Sequence, residues 1–306
     1  MPLDPQFRAV LDALASMDAL PLVRGDALET RAHYRKLVMA RRGNDYRPES
    51  VASVEDRDVD GPGGPLPVRI YTPSHDRGRV VTFLHGGGWV VGDLDTHDPL
   101  CRRVANALGA VVVAVDYRLA PEHPFPAPLD DTLAALAWTA ESFPGRTHIV
   151  AGDSAGAGLA AGAALRIRDS GGPALAAQLL IYPPADPTMS EPSIKLNGDG
   201  YFLTESDMVW FYEQYLPAEH RADPAVDLLR APNLQDLPPA VITTAEFDPL
   251  RDEGDRYARR LRAAGVRVEH FPAAGLIHGY FAFFGVVDAA ERLVAEVFAG
   301  VEAVLA

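Results

Sequence analysis

Cysteine is nearly absent from this chain: Cys101 is the only one in 306 residues. A lone thiol forbids an intrachain disulfide and removes every cysteine-based metal cluster. Lysine is almost as scarce, with only Lys36 and Lys195, so arginine supplies nearly all of the positive charge. That supply falls short of the acids. Lys+Arg total 28 against Asp+Glu 42, a formal net charge of −14 at pH 7. So acidic a protein has no general attraction for nucleic acid or an anionic membrane. No run of about eighteen apolar residues occurs, which excludes a membrane-spanning helix. The opening residues mix Asp4 and Arg8 with apolar positions and lack the apolar stretch of a secretory signal. Internal repeats and low-complexity segments are also missing. A cytoplasmic, non-redox protein is expected.

Hydrophobic residues make 48% of the chain and charged residues 23%, an ordinary globular balance. The length allows one large domain or two small ones. Short β-branched or apolar runs predict strands at Val68–Thr72, Val80–His85, Ala110–Val115, His148–Gly152, Gln178–Tyr182, Ala240–Glu246 and Val266–Phe271. Several are apolar on both faces, as strands inside a parallel sheet are. Helical patterns lie between them at Pro99–Leu108, Leu129–Glu141, Ala155–Arg168 and Asp252–Ala263, and a last helix runs from Val286 onward. Alternating β and α elements predict an α/β fold with a mostly parallel sheet. Two stretches break the alternation. Residues 1 to about 45 look purely helical, and residues 188 to about 222 hold the aromatic cluster Tyr201, Phe202, Trp210, Phe211, Tyr212 and Tyr215. Such a cluster is either plain core or the apolar underside of a helical lid over a pocket.

Gly152-Asp153-Ser154-Ala155-Gly156 follows the apolar run Ile149-Val150-Ala151 and opens an Ala-rich helix. That strand–turn–helix setting is what a G-x-S-x-G nucleophile elbow requires. The turn is sharp and strained, and side chains two positions to either side of the serine would collide with strand or helix. Ser154 is therefore the candidate nucleophile, with the positive end of the helix aimed at the same spot. A phosphate-cradling loop would need a Gly-Lys-Ser/Thr ending, which is missing.

Three consecutive glycines in His85-Gly86-Gly87-Gly88-Trp89 follow the strand ending Phe83-Leu84. Their entropic cost needs a reason, and close approach of backbone N–H groups to a reacting carbonyl supplies one. Gly86 and Gly87, with Ala155, are the expected oxyanion donors, each worth about 3 kcal/mol. His85 reads as a structural residue that fixes the loop. A serine hydroxyl needs a general base, and the base needs an orienting group. Asp248 leaves a strand at its carboxyl end, where sites of open α/β sheets are built. His278 lies in a short loop after the last strand. His278 is the expected base and Asp248 its expected orienter, with Glu246 the nearest rival. Asp252, Glu253 and Asp255 read instead as the acidic first turn of a helix. Trp89, Phe211 and Ile277 are the candidates for contact with the substrate.

Together these residues resemble the hormone-sensitive-lipase-like family of α/β-hydrolases, specifically its bacterial esterases. The resemblance rests on HGGGW at 85–89, DYRLAPEHPFPA at 116–127, GDSAG at 152–156, EFDPLRDEG at 246–254 and IHGY at 277–280, and more weakly on NGDGYFLT at 197–204. It implies the α/β-hydrolase fold: a mostly parallel central sheet flanked by helices, with a helical cap. Residues 1–45 would be N-terminal cap helices, 46–187 and 223–306 the catalytic domain, and 188–222 the cap insertion. Carried over by position, Ser154, Asp248 and His278 become the triad, and Gly86, Gly87 and Ala155 the oxyanion donors. The family commonly has Phe or Tyr where this chain has Trp89, and Glu where it has Leu196; both departures bear on pocket shape and cap. The implied activity is that of a serine carboxylesterase for short- to medium-chain esters, working through an acyl-enzyme without metal or organic cofactor. A homodimer is compatible with the resemblance. Amide deacetylation or lactone opening would use the same triad. A non-catalytic small-molecule receptor, such as the plant gibberellin receptors that resemble this family, would lack the histidine that His278 provides.

Overall fold

The computed structural model describes residues 1–42 and 46–306, so the boundary expected near residue 45 lies outside the described residues. The chain begins with two helices, α1 (Pro5–Ser16) and α2 (Ala27–Arg42), and then enters an eight-stranded sheet. The strands are β1 (Ser53–Gly61), β2 (Gly64–Thr72), β3 (Arg79–Leu84), β4 (Ala110–Val115), β5 (Thr147–Asp153), β6 (Ala177–Ile181), β7 (Ala240–Phe247) and β8 (Val268–Ile277). Their spatial order is β1-β2-β4-β3-β5-β6-β7-β8. Only β2 runs against the others, pairing antiparallel with both β1 and β4. The crossovers are α3 (Leu94–Leu108), α4 (Ala127–Ser142), α5 (Ala155–Ser170) and α8 (Arg251–Ala263). Two helices, α6 (Pro192–Leu196) and α7 (Glu205–Tyr215), interrupt the alternation after β6, and α9 (Asp288–Leu305) closes the chain.

Strands β3 to β7 are buried along almost their whole length because helices cover both faces of the sheet. Side chains alternate between the two cores. Val81, Phe83, Ile149 and Leu179 pack with α3 and α9, while Val80, Leu84, Val150 and Leu180 pack with residues of α4, α5 and α8. Each such side chain, wholly removed from water, contributes about 1.5–3 kcal/mol. Every predicted strand is present, within a few residues except at β8. That strand continues from Val268 to Ile277, through Pro272, six residues beyond the expected end. It pairs only with β7, so Pro272 lies on an edge strand that tolerates a missing N–H donor. Strand β1 carries no apolar run. Its sequence, SVEDRDVDG, is exposed at nearly every position; β2 is its only partner strand, and Val59 is its one buried side chain.

Helix α3 begins five residues earlier than Pro99, the start predicted from the sequence. A capping box explains the earlier start: Asp93 Oδ1 accepts the Thr96 N–H at 2.7 Å and Thr96 Oγ1 accepts the Asp93 N–H at 2.8 Å. Pro99 inside the helix has no N–H for the Asp95 carbonyl. The Arg42 guanidinium donates to that carbonyl instead, tying the end of α2 to α3. Among the described residues no helix is long and apolar enough to cross a membrane.

Candidate active site

The carboxyl ends of β3, β5, β7 and β8 converge, and each delivers one part of a single constellation. Between β5 and α5, Ser154 has φ +51° and ψ −123°. A serine held there is strained by about 1–3 kcal/mol, which only fixed surroundings sustain. Those surroundings are backbone at close range. A Cβ on Gly152 would strike the Gly156 backbone, and one on Gly156 would strike the Leu84 carbonyl. The Ser154 N–H donates to the Ile181 carbonyl of the neighbouring strand at 2.8 Å.

The hydroxyl thus held meets His278 from the loop after β8. Ser154 Oγ lies 2.9 Å from His278 Nε2, and His278 Nδ1 lies 2.7 Å from Asp248 Oδ2. A carboxylate can only accept, so Nδ1 donates and Nε2 is left to receive the serine proton. Asp248 is fully buried and its other oxygen accepts the Leu250 N–H at 2.8 Å. Glu246, the rival orienter, is turned elsewhere and accepts the Gly275 N–H at 2.6 Å. Asp252 accepts the Ser193 N–H at 2.9 Å, also away from the imidazole. Asn197 was not singled out from the sequence. Its amide donates to the carbonyls of Glu246 and Asp248, both at 3.0 Å, and so pins the loop that carries the carboxylate.

The glycine loop after β3 departs from expectation. The Gly86 N–H donates to Asp153 Oδ1 at 3.0 Å, so it is already satisfied and cannot also serve an oxyanion. Gly87 and Gly88 line the adjoining cavity, and among the described residues no acceptor meets the N–H of Gly87, Gly88 or Ala155. Asp153 is the element hardest to read from the sequence, since it fills a variable position of the elbow. Burial works against its charge, but His97 at 3.5 Å and the Gly86 N–H hold its carboxyl below the ordinary range. His85 is structural. Burial lowers its pKa to about 4, its Nδ1 donates to the Gly86 carbonyl at 2.8 Å, and its ring stacks on Tyr117 at 4.3 Å.

A cavity of about 380 Å³ opens on Ser154 and His278. Its walls are mostly apolar and come from α1, α2 and the segment of Phe202 to Phe211. Phe211 lines it as expected, but Trp89 and Ile277 do not. Trp89 is buried on the other side of its loop, stacked on Tyr215 at 4.2 Å, and Ile277 lies wholly in the core beneath the sheet. The aromatic cluster is therefore split: Phe202 and Phe211 face the cavity, while Tyr212 and Tyr215 are core. Asp207 of α7 accepts the Val23 N–H at 3.1 Å, which ties this segment to the N-terminal helices. No group of three or more metal-ligating side chains occurs among the described residues.

Residues 81–282 match a family described as alpha/beta hydrolase fold. The chain is 41% identical over 298 residues to the carboxylic ester hydrolase LipN of Mycobacterium tuberculosis, covering 92% of this chain and 78% of that one. It is 35% identical over 312 residues to an ethyl acetate hydrolase of Pseudomonas putida, covering 95% and 96%. Among solved structures, a hyperthermophilic esterase of Pyrobaculum calidifontis superposes with a TM-score of 0.91 at 38% identity, with 99% of each chain covered.

Proposed function

The chain belongs to the hormone-sensitive-lipase-like family of alpha/beta hydrolases and is a carboxylic ester hydrolase; on that premise we propose that Ser154 is its nucleophile, His278 its general base and Asp248 the orienter. The observation that carries this reading is the continuous chain of hydrogen bonds from Asp248 through His278 to Ser154, at 2.7 and 2.9 Å, at the floor of the cavity. In the reaction, Ser154 Oγ attacks the ester carbonyl as its proton passes to His278 Nε2. The carbonyl oxygen becomes an oxyanion held by the N–H groups of Gly87, Gly88 and Ala155. The imidazolium, stabilised by Asp248, then gives its proton to the departing alcohol and an acyl-enzyme remains. Water repeats the sequence: it loses a proton to His278, attacks the acyl carbonyl and releases the acid with Ser154 restored.

Helices α1 and α2 and the segment 188–222 act together as the cap. Residues of α1 and α2 and Phe211 of α7 line the cavity, while Asp207 holds the two cap pieces to each other. A cavity of about 380 Å³ lies near the lower end of the usual range for small-molecule sites, which supports short- to medium-chain esters. Hydrolysis of a graded series of p-nitrophenyl esters and one anilide tests this reading. Turnover that peaks at short or medium chains, with a stoichiometric burst of nitrophenol, is expected. Faster cleavage of the anilide than of every ester would replace ester hydrolysis with amide hydrolysis.

A further inference from the structure

Among the described residues one cation in the cavity wall has no hydrogen-bond or ion-pair acceptor. Arg41 lies in the last turn of α2 and lines the cavity that opens on Ser154. Its guanidinium carbon sits 4.6 Å from the ring centre of Phe283, itself a wall residue. Among the described residues it has no hydrogen-bonded or ion-paired acceptor, although the chain carries an excess of acids. Its neighbour Arg42 is a useful contrast, since it lines the same cavity but donates to the Asp95 and Thr96 carbonyls. Two turns earlier on α2, on the same face, Tyr34 also lines the cavity, and no partner for its hydroxyl occurs among the described residues.

Arg41 is an exposed residue at the end of α2 whose guanidinium reaches over the Phe283 ring in the cavity wall. Desolvation of that guanidinium shifts the Arg41 pKa downward, whereas Arg35, Arg69, Arg79, Arg118 and Arg146, each bonded to a carboxylate, are shifted upward. Helix-dipole favour at the end of α2 accounts for a cation in the last turn but not for one facing the cavity. A guanidinium offers planar, paired donors that match a carboxylate.

We propose that Arg41, assisted by the Tyr34 hydroxyl, receives a carboxylate on the arm of the ester that fills this cavity, so that the preferred substrates are esters bearing a free acid group. The inference rests on the esterase reading and names its substrate class. The acid can belong to either half of the ester, the acyl chain or the alcohol, and both present the same group to Arg41.

Paired substrates test it. Monoethyl glutarate carries the acid on the acyl side and 4-acetoxybutyrate carries it on the alcohol side; ethyl hexanoate and pentyl acetate, each with a single ester bond, are their neutral twins. The wild-type enzyme should favour one acid over its twin in kcat/KM, mainly through KM, and added salt should narrow the preference. Arg41→Gln should cut that acid-to-twin ratio by about tenfold to a hundredfold, and Arg41→Lys by less. The pair that responds identifies the half of the ester that enters the cavity. Equal kcat/KM for acid and twin in the wild type would overturn the proposal without any variant, as would an Arg41→Gln ratio equal to the wild-type ratio. If the neutral twins and simple p-nitrophenyl esters also resist hydrolysis, the esterase reading falls with it.

Discussion

The floor and the roof of the cavity are built by different means. The floor consists of the carboxyl ends of β3, β5, β7 and β8, where backbone strain and hydrogen bonds fix Ser154, His278, Asp248 and the glycine loop. Little there can shift without breaking a bond. The roof consists of α1, α2 and the stretch from Phe202 to Phe211; polar ties such as Arg31 to Glu122 and Asp207 to Val23 anchor it to the rest of the fold, but the face it turns to the cavity is mostly apolar. Apolar contacts are non-directional and tolerate repacking. Changes to the floor should therefore alter turnover of every ester alike. Changes to the roof should reorder the esters.

The sharpest test is Ser154→Ala. Activity on short and longer esters should fall by the same factor, on the order of 10⁴ or more, with the thermal midpoint close to the parent. Unequal losses, measured as kcat/KM across a chain-length series, would break the distinction between floor and roof. Next in size, Asp248→Asn should lower kcat by about 10³–10⁴, because the amide can donate to the imidazole and favour the wrong tautomer. Glu246→Gln, which alters bonds to the Gly275 N–H and to the N-terminal ammonium of Met1 but none to the imidazole, should stay within about fivefold. A reversal of that order in steady-state kinetics would place the wrong carboxylate in the floor.

Acid stability sharpens the comparison from the side of folding. Burial lowers the pKa of His85, beneath the glycine loop, and of His148, on β5, from 6.5 to about 4. Between those values each ring binds fewer protons folded than unfolded. Their contribution is thus present above pH 6.5 and is lost as the pH falls toward 4, by up to about 3 kcal/mol each. Urea unfolding at pH 7 and pH 4.5 should show a smaller loss on acidification in His148→Gln than in the parent. An identical loss would remove His148 as a cause.

The smallest effect is expected in the roof. Phe211→Ala enlarges the cavity beside Gly88, so kcat/KM for hexanoate should drop about tenfold while that for acetate drops about threefold or less. Equal factors on both esters would make Phe211 part of the floor in function.

The same division governs what could be read from the sequence. Strands β3 to β7 were legible because a strand covered on both faces must be apolar throughout. Strand β1 was not, because an exposed strand bearing Glu55, Asp56, Arg57 and Asp58 looks like any charged loop. The early start of α3 was hidden by Pro99, whose missing N–H is compensated by Arg42 from another helix. In the candidate site, Ser154, Asp248 and His278, which the structure joins by hydrogen bonds, could be singled out because each follows a strand and the order of the three along the chain is itself a signal. The proposed donors shift by one residue from the expected pair, because the Gly86 N–H is taken by the Asp153 carboxylate, which is brought up from the end of β5.

The sequence by itself determined the alternating layers, the strained turn at Ser154 and the three residues of the hydrogen-bonded chain, since periodicity, glycine placement and strand ends are local properties. Only the tertiary structure decided that Gly86 bonds Asp153, that Trp89 and Ile277 face away from the cavity, and that Arg41 faces into it. Each of those outcomes depends on which distant segment occupies the space beside a side chain or an N–H. Local propensity carries no record of that neighbour.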